Sequence, residues 1–215
     1  MNVRRILVGL LTTTITAGTA LVAAPAAQAS APLGTTSLAA VLAADGTGFD
    51  RNWRDFDILD NAVGAVLAAK PSSPVAVLAD GTVPLTAFLP DDRAFQLLAF
   101  SLTHRWYGSE HAVFTALAKT LGVDAIEKVL LYHVVPGVTI DAAAALRSNG
   151  AVLPTALSGE SLKVRVLSAR FGLIQLIDSK RGNLNPLLNP TQLNLNKGNR
   201  QIAHGVTFVL LPASL

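Results

Sequence analysis

The 215-residue chain has no cysteine, one methionine, 6% aromatic residues and only 14% charged ones. Without cysteine there can be no disulfide framework, no thiolate nucleophile and no Cys-ligated metal centre. Charge is thin and mixed, with 17 basic residues against 14 acidic ones. Two of the basic residues, Arg4 and Arg5, stand at the very start. Without them the balance is 15 against 14, a net charge of +1, and no block of like charge remains to hold a polyanion. Nucleic acid is therefore not an expected partner. The short groups Lys163/Arg165/Arg170 and Lys180/Arg181 read as a solvated strand face and a turn. No apolar run long enough to span a bilayer follows Ser30. The Asn-x-Ser/Thr acceptor is missing as well, because Asn189-Pro190-Thr191 is blocked by its proline.

What is present begins with an export signal. Arg4 and Arg5 precede an uncharged stretch, Ile6 to Ala24, and Ala27-Gln28-Ala29 places small residues where a signal peptidase needs them. The rival reading is an uncleaved anchor. A spanning helix needs roughly 20 predominantly apolar residues, and Thr12, Thr13, Thr14, Thr16, Gly18 and Thr19 interrupt this run. Residues 1–29 are read as a cleaved leader and 30–53 as a partly helical N-terminal extension with a mobile Ser30–Thr36 tail. The body of the chain is 54–215. A chain that is 51% hydrophobic can bury a core of this size without crosslinks.

Periodicity predicts two helical pieces in 37–69, separated at 45–48, with Phe56, Leu59, Val63, Val66 and Leu67 at helical spacing. Pro71-Ser72-Ser73-Pro74 stops the second. Val83 to Leu89 reads as a strand ended by Pro90, and Asp91 as the cap of a helix through Ala94 and Phe95. Helices follow at Glu110–Thr120 and at Asp124 to Val134. The second has capping-box spacing in Asp124 and Glu127, an apolar stripe of Ile126, Val129, Leu130 and His133, and Pro136-Gly137 as its stop. After a brief helix at Asp141–Arg147 the period becomes two. Leu162, Val164 and Val166 alternate with Lys163 and Arg165, and Phe171 to Ile177 is a second strand. Residues 179–200 form an Asn-rich loop, and Val206–Leu211 a closing strand. Helices first and strands later, without regular βαβ alternation, give an α+β class.

Four of these segments, in order, resemble the fasciclin (FAS1) domain. Phe56-Asp57-Ile58-Leu59 is similar to its opening. The stretch from Thr86 to Phe95, with Phe88, Pro90 and Asp91, is similar to its first signature. Leu130 to Gly137 resembles its central Tyr-His segment, and Gly205-Val206 to Pro212 its closing strand. The Asn-rich stretch before His204 is longer than in many relatives, and Leu89, Asp91 and Leu210-Leu211 depart from common family residues. The resemblance implies a β-wedge packed against several helices in a secreted or wall-associated protein. It implies adhesion to extracellular or envelope proteins, with no catalysis and no cofactor.

Candidate residues follow from chemistry and from the resemblance. His104, His111, His133 and His204 lack the local pairing of a zinc site, so no metal is expected. His133 falls on the buried stripe, where a hydrogen-bonded core imidazole is the plain reading. The resemblance also credits the pair Tyr132 and His133 with adhesion. Asn183, Asn185, Asn194 and Asn196 are further contact candidates, because contacts concentrate on long loops; ordered turn asparagines explain them equally. Trp53, Trp106, Tyr107 and Phe171 could form an aromatic platform or serve as core and lid. Asp91/Asp92 could be imagined as a glycosidase acid, but adjacent residues at a helix start point apart. No Gly-x-Ser-x-Gly elbow is present. The leading expectation is a non-catalytic adhesion domain. A carbohydrate- or small-ligand-binding envelope module and a secreted hydrolase are the alternatives.

Overall fold

A computed structural model describes residues 32–44, 46 and 48–215. The expected leader at 1–29, and with it the expected cleavage at Ala29, lies outside these residues, as does part of the 45–48 linker. Five α-helices are described: α1 Leu38–Ala43, α2 Asp57–Ala69, α3 Asp92–Thr103, α4 Glu110–Tyr132 and α5 Ala142–Leu146. The six strands are β1 Leu85–Pro90, β2 Val134–Pro136, β3 Val152–Pro154, β4 Ser161–Ser168, β5 Leu173–Ile177 and β6 Gln201–Val206. A 3-10 helix occupies Pro74–Ala79. The class is α+β.

Two three-stranded sheets carry the fold, in the orders β2-β1-β6 and β3-β4-β5. In the first, β1 runs antiparallel to β2 and parallel to β6, with Thr86 opposite Ile202, Phe88 opposite His204 and Pro90 opposite Val206. Every residue of β1 is buried, because both faces are covered. Its alternation divides the interior. Leu85, Ala87 and Leu89 face a helical core with Val63, Phe95 and Leu130. Phe88 faces a second core between the sheets, with Leu162, Val164, Ile174, Leu176 and Val206. In β4 the same period-two rule leaves Lys163 and Arg165 exposed.

Several expectations change. The α3 cap stands: Asp91 accepts from the Ala94 N–H at 2.9 Å. The two helices expected at 110–134 are one span, broken at Gly122, whose φ of 74° and ψ of 167° lie outside helix space. The capping box is not formed. Asp124 instead pairs with Lys70 Nζ at 2.8 Å, while Glu127 takes Lys70 and the Ser73 hydroxyl. The helix ends at Tyr132 rather than at the proline, because Val134–Pro136 pair with β1 as β2. The closing strand lies earlier than 206–211, at Gln201–Val206, where β1 supplies its partner. The compact unit runs from Leu33 to Leu215, so residues 33–53 belong to the same body as 54–215. The expected mobile tail is tied down from Gly34 onward. Gly34 N–H donates to Gly198 and Gly34 C=O accepts from Arg200, while Thr36 N–H donates to Asn199 Oδ1. No helix among the described residues is long and apolar enough to cross a membrane.

Candidate functional site

Tyr132 and His133 sit where α4 meets both cores, and both are buried. The Tyr132 hydroxyl donates to Ser161 C=O at 3.1 Å and accepts from Ser179 N–H at 2.8 Å. His133 Nδ1–H donates to Val129 C=O at 2.7 Å, and its Nε2 accepts from Leu210 N–H at 3.0 Å. That pair of bonds requires the neutral ring with the proton on Nδ1. Burial pushes the imidazole pKa down to about 4, against a smaller upward pull from Val129 C=O. Burial also raises the Tyr132 phenol. The pair clamps α4 to the second sheet and to the C-terminal segment.

The asparagines divide in the same way. Asn194 and Asn196 hold left-handed backbone, with φ of 58° and 63°, a conformation Asn tolerates better than most residues. Asn194 Oδ1 accepts from Ala142 N–H at 2.8 Å, and Asn196 Nδ2 donates to Thr36 C=O and Gln201 C=O. Asn185 Oδ1 accepts from Asp178 N–H at 3.1 Å. Asn183 alone of the four is fully on the surface. The loop is thus ordered by its own side chains, and by bridges such as Leu188 to Val206. His204 is equally internal: Nε2–H donates to Ile140 C=O at 2.8 Å, and burial lowers its pKa.

Two surface features come from α3 and the turn after it. Phe100 and Trp106 are 45% and 50% exposed, with ring centroids 5.8 Å apart and the Arg93 guanidinium 5.2 Å from the Trp106 ring. Gln96 holds the turn by accepting from Arg93 at 2.9 Å and donating to Tyr107 C=O at 2.7 Å. Beside this patch a groove of about 290 Å³ is lined by Leu97, Ser101, Asn183, Leu184, Phe208 and Leu211 among others. Trp53 and Tyr107 pack against the helical core, whereas Phe171 is 69% exposed at the far turn before β5. The four aromatics therefore form no single platform.

A third feature is buried and acidic. Asp57, Asp92 and Glu110 are the first residues of α2, α3 and α4. Carboxylates of Asp55, Asp92 and Glu110 converge, and so do those of Asp50, Asp55 and Asp57. Asp92 Oδ1 accepts from Ile58 N–H at 2.9 Å and so caps α2, which has no side-chain cap from Phe56. Glu110 Oε2 accepts from Asp50 N–H at 2.7 Å. Burial, then the neighbouring Asp55 carboxyl, pushes the Asp92 carboxyl well above the carboxylate range. Burial likewise raises Glu110. Among the described residues no cluster of three ligating side chains contains a histidine. Sequence reasoning missed this grouping. Its only linear signal is an acid at the first position of three successive long helices.

Residues 61–178 match the Fasciclin domain family, more than half of the chain. The chain belongs to the fasciclin domain family, whose members are generally non-catalytic. Its fold is similar to that of a FAS1 domain pair from the insect cell adhesion molecule fasciclin I, with a TM-score of 0.51 and 16% sequence identity. The match covers 74% of this chain and 49% of that one, so the chain spans about half the length of the pair. No curated protein matches it.

Proposed function

We propose that this protein is an exported, non-catalytic adhesion domain that binds extracellular or envelope proteins through the exposed face of α3. The observation that supports this reading is the patch of Phe100, Trp106 and Arg93 beside the groove at Leu97 and Phe208. Tryptophan and arginine are the residue types that dominate binding energy at protein interfaces. Arg93 presents a planar cation already stacked on its aromatic neighbour, so little side-chain freedom is lost on docking. The acids at Asp91 and Asp92 are engaged as helix caps, which is why a hydrolytic role is not chosen for them. The leader supports secretion, with the protein free or held at the wall.

The test is capture of envelope proteins and of a glycan panel on the immobilised chain, wild type against Phe100→Ala/Trp106→Ala. The expected result is a protein retained by wild type and lost from the variant. Retention of glycans alone would select the carbohydrate-binding alternative.

A further inference from the structure

Five acidic side chains meet where α2, α3 and α4 begin, and two trios share Asp55. Asp50, Asp55 and Asp57 form the outer one, in which Asp50 is exposed; Asp55, Asp92 and Glu110 form the inner one, all buried. In each trio, one carboxylate oxygen per residue lies within 4.8 Å of the other two. Helix N-termini offset part of this negative charge, and the N–H groups of Ile58 and Asp50 take one oxygen each of Asp92 and Glu110. A surplus remains. Asp55 Oδ1, Asp92 Oδ2 and Glu110 Oε1 are buried and accept from no N–H donor among the described residues, and Asp55 and Asp92 can bond to each other only by sharing a proton. Asp92 and Glu110 are 0% exposed, and Asp55 is 8% exposed. None of the ion pairs among the described residues involves these three acids. Buried carboxylates without a compensating cation are unfavourable, and here three of them converge in one small volume.

We propose that Asp55, Asp92 and Glu110 bind one hard divalent cation of the size of Ca²⁺, admitted past the exposed carboxylate of Asp50. The donor set is all carboxylate oxygen, which selects a hard cation over the softer transition metals. A buried set of three carboxylates favours Ca²⁺ over Mg²⁺, because Mg²⁺ gives up its water reluctantly and is usually held by only one or two carboxylates. The oxygens without N–H partners are the ones that face the ion. The remaining oxygens of Asp92 and Glu110 keep their backbone bonds, which orient the two carboxylates. Bound there, the cation ties the segment of Asp50 to Asp57 to the starts of α3 and α4.

The test uses the chelator-stripped chain, titrated with CaCl₂ and separately with MgCl₂ at neutral pH. Thermal unfolding is followed in CaCl₂ and in EDTA. Expected are one Ca²⁺ per chain, a saturable heat, and a higher midpoint in Ca²⁺. Asp92→Asn and Glu110→Gln each keep an acceptor oxygen for Ile58 and Asp50. Each should weaken Ca²⁺ by at least about tenfold, with an unchanged far-UV spectrum, while Glu160→Gln leaves it unaltered. The wild-type titration stands even if a variant misfolds. The proposal is overturned by equal midpoints in EDTA and CaCl₂ without saturable heat, by binding that survives both substitutions, or by tighter binding of Mg²⁺ than of Ca²⁺.

Discussion

Replacing His133 with alanine tests the junction between the helical core and the C-terminal segment. The imidazole accepts from Leu210 N–H and donates to Val129 C=O, and Leu210 is 0% exposed. Truncation orphans the Leu210 N–H, a loss of roughly 1–3 kcal/mol. The Val129 carbonyl is less affected, since it also accepts from His133 N–H at 3.3 Å. The wild type carries a pH signature that the variant lacks. Burial holds the folded-state pKa at about 4, below the ordinary 6.5. Between those values the unfolded chain binds a proton that the folded chain refuses, so stability is full above pH 6.5 and falls on acidification toward pH 4. The total loss is about 3 kcal/mol, with about 2 kcal/mol of it gone by pH 5. His204 adds a change of the same sign and the raised carboxyls oppose it. The difference between wild type and His133→Ala removes those shared contributions. Urea unfolding followed by tryptophan fluorescence across that pH range should show the variant weaker at neutral pH and the gap narrowing as pH falls. An unchanged midpoint, or a gap independent of pH, would refute the reasoning.

Gly205→Ala should lower stability by about 1–3 kcal/mol, because a Cβ there would stand 2.6 Å from Gln192 Cβ and press on Gln192 Oε1. Gly64→Ala, where nothing lies within 4 Å on the exposed face of α2, should raise it by about 0.5–1 kcal/mol. Thermal melts of the pair give opposite signs if the packing is as described. Asp92→Asn in EDTA should flatten a decline of stability between the unfolded value of 3.8 and about 9. The folded carboxyl keeps a proton that the unfolded one releases, so stability falls as pH rises from the unfolded toward the folded pKa. Denaturant midpoints across that range check this, and an unchanged slope would remove Asp92 from the account.

Much of the fold is legible locally. Asp91 and Asp141 each cap the helix they precede, and the alternation from Leu162 to Val166 marks β4. These features depend on near neighbours and on which face is apolar. The misread elements depend on distant partners. Val134–Pro136 is too short to show a period, and becomes a strand because β1 lies beside it. Gln201 and His204 look too polar for a buried strand. They are buried because distant carbonyls receive them: Val77 and Asp80 for Gln201, Ile140 for His204. The carboxylates of Asp55, Asp92 and Glu110 lie far apart along the chain and converge only where three helices start together.

The sequence alone determined the α+β class and the fasciclin signatures, because these follow from local periodicity and capping. It also showed that His133 lies on an apolar face. Tertiary structure decided the rest. It turned Tyr132 and His133 inward onto backbone groups and spread the candidate asparagines between internal turns and one surface position. It also brought Phe100, Trp106 and Arg93 together on the outside and gathered Asp55, Asp92 and Glu110 within. Those outcomes depend on which segments meet, and no local spacing in the chain encodes that.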